Sequence, residues 1–121
     1  MLLDTNILIG YINGDQAIRN VIKMWREVQM PLTISSITVG ELLSYQQLTD
    51  VEIRDLELFA ATFISVPFDD HLAKVAAELK RKYRFDITDA GILATAKTRG
   101  IQIVSRDVQL HKATEISFVH I

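Results

Sequence analysis

The chain has 121 residues, of which 49% are hydrophobic, so it is long enough to form one compact domain with its own core. It has no cysteine, which excludes a disulfide framework, a thiolate nucleophile and a cysteine metal cage. The formal net charge of −2 argues against a generic basic nucleic-acid binder, whose surface carries an excess of positive charge.

Short apolar segments alternate with longer helical patterns along the chain. Five segments are predicted strands, in the order MLLD, PLTISS, FISV, IQIVS and ISFVHI. Between them, apolar residues recur every three or four positions, which predicts helices at residues 15–29, 50–62, 69–84 and 87–98. This alternation predicts one three-layer α/β/α domain, residues 1–121, with a central and mainly parallel five-stranded sheet.

Four acidic residues lie where predicted strands end or where the following helices begin. Asp4 ends the first strand, and Glu41 lies in the first turns of the helix after TISS. Asp89 opens the helix DAGILATAK, and Asp107 follows the fourth strand. Ligands of open α/β sheets bind outside the carboxyl ends of the strands. We therefore expect all four acids at that edge of the sheet.

Helix capping is a simpler explanation for two of these acids. The Asp4 carboxylate could accept backbone N–H groups from a helix that starts at residue 6 or 7. The sequence TVGE could be a capping box, in which Thr38 is the N-cap and Glu41 returns the hydrogen bond three residues later. In this interpretation both side chains stabilise helix termini and take no part in a binding site.

The other two acids have similar explanations. Asp86 could cap the helix that follows it, with Asp89 in the first turn, where the helix dipole favours negative charge. Asp107 could cap the short turn VQLHK. Capping accounts for each acid singly, but it does not predict that four acids converge on one edge of the sheet.

Convergence of four carboxylates has an electrostatic cost. Carboxylates that lie about 4–5 Å apart repel one another, and each raises the pKa of the next unless cations bind between them. An oxygen-only ligand set without histidine or cysteine selects Mg²⁺ or Mn²⁺ over Zn²⁺. The sequence therefore favours a divalent-metal site at this edge.

Three segments, which together carry four motifs, resemble a known family. LLDTNILI resembles the opening strand motif of the PIN-domain family, SSITVGELL its second acidic motif, and DAGILATAKTRGIQIVSRD its third and fourth. The similarity extends over nearly the whole chain. It is greatest to the small single-domain toxin ribonucleases of prokaryotic toxin–antitoxin pairs, which are termed VapC-like.

This resemblance implies a set of site residues. The acids that would catalyse the reaction and bind one or two Mg²⁺ or Mn²⁺ ions are Asp4, Glu41, Asp89 and Asp107. The polar residues that would support them are Thr5, Asn6 and Ser105. The implied reaction is hydrolysis of RNA phosphodiester bonds, which leaves a 5′-phosphate and a 3′-hydroxyl. One ion would be held mainly by Asp4 and Asp89, and a second would lie nearer Asp107 and Glu41.

The third motif departs from the family pattern at two positions. Gly91 replaces a larger apolar residue inside the helix, which costs a helix roughly 0.5–1 kcal/mol relative to alanine. Asp86 adds a further carboxylate one turn before Asp89, so either residue could be the third ligand. We favour Asp89, because DAGILATA matches the motif in register.

Basic residues offer candidate contacts for RNA. The segment KRKYR places Lys80, Arg81, Lys82 and Arg84 just before the third motif, where they could hold a phosphate backbone. The same cations could instead complement the dipole at the end of a solvated helix. Arg106, beside Asp107, could reach a substrate phosphate or face water.

Further expectations concern partners and location. The resemblance implies a homodimer whose paired grooves bind RNA, and a small antitoxin protein that blocks the site. The N-terminal apolar run is interrupted by Asp4 and lacks a basic leader, so we expect no signal peptide, no membrane segment and a cytoplasmic protein.

Three other interpretations compete with the ribonuclease. A haloacid-dehalogenase-type phosphatase needs a second acid two residues after Asp4, where this chain has Asn6. A receiver domain needs an early acidic pair and a late lysine that are missing here. The more serious alternative is a catalytically inactive PIN-like scaffold or binding module.

Overall fold

Five short parallel strands form the centre of the molecule. The computed structural model describes residues 1–121. The strands are β1 (Leu2–Leu3), β2 (Thr33–Ser35), β3 (Ile64–Val66), β4 (Ile103–Val104) and β5 (Phe118–Val119). They lie side by side in the order β3-β2-β1-β4-β5, and every neighbouring pair is parallel. All five predicted strands are present, although each is shorter than its apolar segment.

Six α-helices and one 3₁₀ helix connect and cover the strands. They are α1 (Thr5–Ile12), α2 (Gln16–Glu27), α3 (Ser36–Leu42), α4 (Asp50–Ala60), α5 (Asp70–Tyr83), α6 (Ile87–Arg99) and the 3₁₀ helix Val108–Lys112. The four helices predicted from periodicity begin and end within two residues of their predicted limits. None of the helices is both long enough and apolar enough to span a bilayer.

The two faces of the sheet carry separate apolar cores. Successive residues of a strand point to opposite faces, so Leu2 and Ile103 join one core while Leu3 and Val104 join the other. The first core packs against α5 and α6, and the second against α1 to α4. The predicted three-layer α/β/α fold is therefore confirmed, and the sheet is parallel throughout.

The start of α3 differs from the predicted one. Ser35 ends β2 and is also the N-cap of α3, because its hydroxyl accepts a hydrogen bond from the Ile37 amide at 3.1 Å. Thr38 therefore lies inside the helix, and Glu41 lies in its last turn. The alternative explanation of TVGE as a capping box is therefore wrong, and Glu41 lies in the second and last turn of this short helix, because the strand passes into the helix without a loop.

Candidate active site

Four carboxylates from four parts of the chain line one pocket of about 260 Å³, which we call the acid pocket. They belong to Asp4, Glu41, Asp89 and Asp107. The other residues that line it are Thr5, Asn6, Ile9, Ser44, Tyr45, Ile92 and Leu110. The four acids singled out from the sequence are therefore brought together at the carboxyl edge of the sheet.

The pairing of the two central strands places two of the acids. Leu3 of β1 is in register with Val104 of β4. The Asp4 amide extends this ladder with a hydrogen bond of 3.3 Å to the Val104 carbonyl. Because both strands end here, Asp4 and the segment that carries Asp107 leave the sheet side by side.

Asp4 is a helix cap and also a member of the acid pocket. Its side chain is only 4% exposed, and one carboxylate oxygen accepts from the Ile7 amide at 2.9 Å. Burial raises the pKa of the Asp4 carboxyl against the opposing effect of the Ser105 hydroxyl and the Ile7 amide, and the charges of Asp107 and Glu41 raise it further. The cap uses one oxygen, so the other can take a second partner.

Glu41 is oriented by a threonine from another helix. The Thr5 hydroxyl donates to the Glu41 carboxylate at 2.6 Å and lies 3.0 Å from the Thr38 hydroxyl. Thr5 follows Asp4 in the sequence, and the acid to which it is hydrogen-bonded is Glu41. Thr38 was not predicted from the sequence to take part in this contact. It precedes Glu41 by three residues and therefore shares its helix face.

The structure separates the roles of the two acids in the third motif. Asp86 is exposed and caps α6, where its carboxylate accepts from the Asp89 amide at 2.8 Å. Asp89 lines the acid pocket and Asp86 does not. The pKa of Asp89 is raised to about 6, mainly by burial and in addition by the negative charges of Asp86, Asp107, Glu41 and Asp4.

Asp107 lies in a tight turn after β4. Its carboxylate accepts from the Gln109 amide at 2.9 Å and caps the 3₁₀ helix, as the capping interpretation predicts. The fully buried Ser105 hydroxyl accepts from the Asp107 amide at 3.0 Å. Because that bond uses only an oxygen lone pair, the Ser105 proton is free to point toward a carboxylate. Asn6 lines the same pocket.

The chemistry of the acid pocket suits Mg²⁺ or Mn²⁺, although its side chains are not closed around a single point. All its charged groups are carboxylates, the hard oxygen donors that these ions prefer. Burial raises the pKa of both Asp4 and Asp89, and the negative charges of the neighbouring carboxylates raise it further, so a cation would be favoured here. No group of three acidic or histidine side chains has the spacing to hold one ion. The carboxylates would therefore have to move inward on binding.

The predicted RNA-contacting residues lie outside the acid pocket. Lys80, Arg81 and Arg84 line a shallow depression at the end of α5, and Lys80 also donates to the Phe85 carbonyl at 3.0 Å. Lys82 is paired with Glu115 at 2.8 Å. Arg106 is exposed and does not line the acid pocket, and its guanidinium is paired with a carboxylate from the α1–α2 corner.

An apolar groove of about 470 Å³ adjoins the acid pocket. It lies between α1, α3 and α4 and shares Ile9 and Tyr45 with the acid pocket. Two acids of α4, Glu52 and Asp55, also line it. The molecule therefore has a continuous depression with an acidic part and an apolar part.

Known proteins similar to this chain share its fold over nearly its full length. The family model of the PIN domain matches residues 1–116. A toxin–antitoxin complex from Klebsiella pneumoniae is 23% identical, with a TM-score of 0.81 over 95% of this chain and 93% of that one. VapBC2 from Rickettsia felis, bound to a promoter DNA fragment, is 18% identical, with a TM-score of 0.83 over 98% and 96%. DNA-bound VapBC from Salmonella typhimurium is 20% identical, with a TM-score of 0.81 over 98% and 96%. No curated protein matches the sequence significantly.

Proposed function

This chain belongs to the PIN domain family, and from that premise we propose that it is a divalent-metal-dependent endoribonuclease, the toxin of a toxin–antitoxin pair. One observation carries the proposal, namely the convergence of Asp4, Glu41, Asp89 and Asp107 on the acid pocket. Capping does not account for it, because neither Glu41 nor Asp89 caps a helix. Burial raises the pKa of Asp4 and Asp89, and buried acids of this kind are costly for folding and typical of a functional site.

The four carboxylates would hold one or two Mg²⁺ or Mn²⁺ ions. When bound, such ions supply Lewis-acid polarisation of a phosphodiester and neutralise developing negative charge. Asp4 provides a rigid carboxylate, because burial and its cap fix the side chain. The Thr5 hydroxyl holds Glu41 in one orientation. Asp89 is deprotonated above about pH 6 and is therefore available as a ligand at neutral pH.

The first experiment measures metal binding without assuming an RNA substrate. The melting temperature of the wild type, Asp89→Asn and Asp86→Asn is measured against Mn²⁺ and Mg²⁺ concentration. A ligand that binds only the folded state raises the free energy of unfolding by about 2.7 kcal/mol when its concentration is one hundred times its dissociation constant. We expect the wild type and Asp86→Asn to shift upward and Asp89→Asn not to shift. Asp86→Asn is a matched control, because asparagine keeps the cap of α6.

A second candidate function, an inactive PIN-like scaffold, is favoured by one feature of the acid pocket. No three of its side chains already have the spacing of a metal site. A scaffold would show no upward shift of melting temperature at millimolar Mn²⁺ in any variant. A wild-type shift that Asp89→Asn abolishes would reject the scaffold and justify a search for cleaved RNA.

RNA would be held by cations that have no carboxylate partner. Arg81 and Arg84 at the end of α5 meet this condition, whereas Lys82 and Arg106 are already paired. In this proposal Lys80, Arg81 and Arg84 contact the phosphate backbone next to the third motif. Setting aside the four pocket acids leaves 11 acids against 13 basic residues, so the remaining surface is mildly basic.

The inhibitory partner would be a small antitoxin protein. The groove between α1, α3 and α4 opens into the acid pocket, so an apolar segment bound there could also cover the carboxylates. The K. pneumoniae structure is a toxin–antitoxin complex, and the R. felis and S. typhimurium structures are DNA-bound VapBC complexes, which supports a protein partner for this chain. We further propose that the protein forms a homodimer and acts in the cytoplasm.

A further inference from the structure

One ion pair joins the corner between α1 and α2 to the segment that carries Asp107. The Arg106 guanidinium donates to both carboxylate oxygens of Asp15, at 2.6 Å and 3.3 Å. The two residues are 91 positions apart in the sequence. Because a two-point contact between planar groups fixes direction as well as distance, this pair restrains how the two segments sit against each other.

Asp15 is itself fixed on the helical side of the contact. Its amide donates to the Gly10 carbonyl of α1 at 2.9 Å, and its carboxylate accepts from the Ile18 amide of α2 at 3.2 Å. α1 begins directly after Asp4 and is capped by it. Asp15 is therefore tied, through one rigid helix, to the most buried acid of the acid pocket.

The segment that carries Asp107 needs a restraint of this kind. Residues 105–107 lie beyond the end of β4, where the Ser105 amide donates to the Val119 carbonyl at 3.3 Å and the buried Ser105 hydroxyl accepts from the Asp107 amide at 3.0 Å. Both of these contacts are made at Ser105, and the contact of Arg106 adds a restraint from the helices. Asp4 and Asp107 repel each other, because both are acids of the same pocket. Arg106 immediately precedes Asp107, and its bond to Asp15 keeps the Asp107 segment close to the α1–α2 corner despite that repulsion.

We propose that Asp15 is a positioning residue, which fixes Asp107 relative to Asp4 through Arg106; this inference rests on the function proposed above. The pair contributes little to folding, because the Arg106 and Asp15 side chains are 40% and 31% exposed. Its effect falls instead on the geometry of the acid pocket. Groups hydrogen-bonded directly to a metal ligand typically change metal affinity by 10- to 100-fold, and this pair acts one residue away from Asp107, so we expect an effect at the lower end of that range.

The test compares Asp15→Asn, Arg106→Gln and the double variant. Asparagine at position 15 still caps α2 but carries no charge for Arg106. Hydrogen exchange of the Asp107 and Gln109 amides is measured in the metal-free protein, and the Mn²⁺ dissociation constant is measured by calorimetry. Glu115→Gln is the control, because it breaks exposed ion pairs on another part of the surface.

We expect both single variants to exchange these two amides about tenfold faster and to bind Mn²⁺ about tenfold more weakly. The double variant should equal either single variant, because one contact is broken in all three. Glu115→Gln should leave both quantities unchanged. Unchanged amide exchange in Asp15→Asn, or additive effects in the double variant, would overturn the proposal. If the wild type binds no Mn²⁺, metal dependence fails and the exchange data alone decide the positioning role.

Discussion

Asp4 and Asp107 show that one carboxylate can serve both a helix and a site. One oxygen of the Asp4 carboxylate accepts from the Ile7 amide, and one oxygen of the Asp107 carboxylate accepts from the Gln109 amide, in each case at the start of a helix. Both side chains nevertheless line the acid pocket. Capping a helix and binding a metal ion are therefore not mutually exclusive roles for these two carboxylates. Asp89 differs, because it caps nothing and its pKa is raised to about 6.

Asp89→Asn should stabilise the metal-free protein at pH 7.5. An acid whose folded pKa exceeds its unfolded value of 3.8 destabilises the fold above the folded pKa, and the cost disappears as the pH falls below 3.8. Allowing for solvent screening of this half-buried group, we expect the free energy of unfolding of Asp89→Asn to exceed that of the wild type by about 1 kcal/mol at pH 7.5. Urea unfolding in a chelator at pH 7.5 and near pH 4 measures it. Equal or lower stability of Asp89→Asn at pH 7.5 would contradict the prediction.

Two helical glycines should respond to alanine with opposite signs. A Cβ at Gly91 in α6 would overlap the Ile37 side chain and lie 3.0 Å from the Phe68 ring, whereas one at Gly40 in α3 meets nothing within 4 Å. Alanine has the higher helix propensity, which raises the free energy of unfolding by up to about 1 kcal/mol in both variants. Overpacking lowers it by about 1–3 kcal/mol in Gly91→Ala only. Thermal unfolding should show Gly40→Ala stabilised and Gly91→Ala destabilised. A stabilised Gly91→Ala would mean that Ile37 and Phe68 move aside freely.

Contacts between helices orient the acids that the strands do not place. Glu41 follows no strand directly; it lies in the last turn of α3, and a hydroxyl of α1 holds it. The close approach of α6 to α3 at Gly91 brings Asp89 toward the same pocket. The departure of Gly91 from the family pattern therefore has a packing reason.

The α1–α3 contact is tested by Thr5→Val, which keeps the shape of the side chain and removes its hydroxyl. The change leaves Thr38 and Glu41 without their hydrogen-bond partner. Loss of a partner by a buried polar group lowers the free energy of unfolding by about 1–3 kcal/mol. Urea unfolding should show this loss, and Mn²⁺ affinity should fall because Glu41 is no longer oriented. Thr5→Ser is the matched control and should retain both properties. Wild-type Mn²⁺ affinity in Thr5→Val would exclude an orienting role for this hydroxyl.

Glu115 ties together three distant parts of the whole molecule. Its carboxylate accepts from Lys82 and Tyr83 at the end of α5 and from Lys97 near the end of α6. These contacts lower the pKa of Glu115 to about 2, with Lys82 the largest cause, followed by Lys97 and Tyr83. The cluster also explains why only part of the basic segment KRKYR is free to bind a phosphate backbone.

Glu115→Gln should destabilise the protein at pH 7 and much less at low pH. The folded pKa is lower than the unfolded value of 4.5, so the carboxylate stabilises the fold above pH 4.5, and this contribution is lost as the pH falls toward 2. Since the Glu115 side chain is 23% exposed and its partners more so, we expect a loss of less than about 1 kcal/mol. Urea unfolding at pH 7 and pH 3 measures the difference. A loss that is the same at both pH values would exclude the ionic contribution.

The sequence by itself determined the layers, the strands and the edge where the acids meet. Periodicity of apolar residues distinguishes strands from helices locally, and all-parallel connectivity sends the carboxyl ends of the strands to one edge. Asp4, Asp89 and Asp107 could be placed there for that reason. Glu41 was correctly selected, but its position in the last turn of α3 was not foreseen, because Ser35 and Thr38 are both plausible caps.

Only the tertiary structure decided which side chains meet across the molecule. The pairs Thr5–Glu41, Asp15–Arg106 and Lys82–Glu115 join residues that are 36, 91 and 33 positions apart. Local propensity carries no information about such pairs, because they depend on where each helix crosses the sheet and its neighbours. The same dependence decided that Asp89 rather than Asp86 lines the acid pocket, since the capping bond turns Asp86 toward solvent and the packing of α6 turns Asp89 inward.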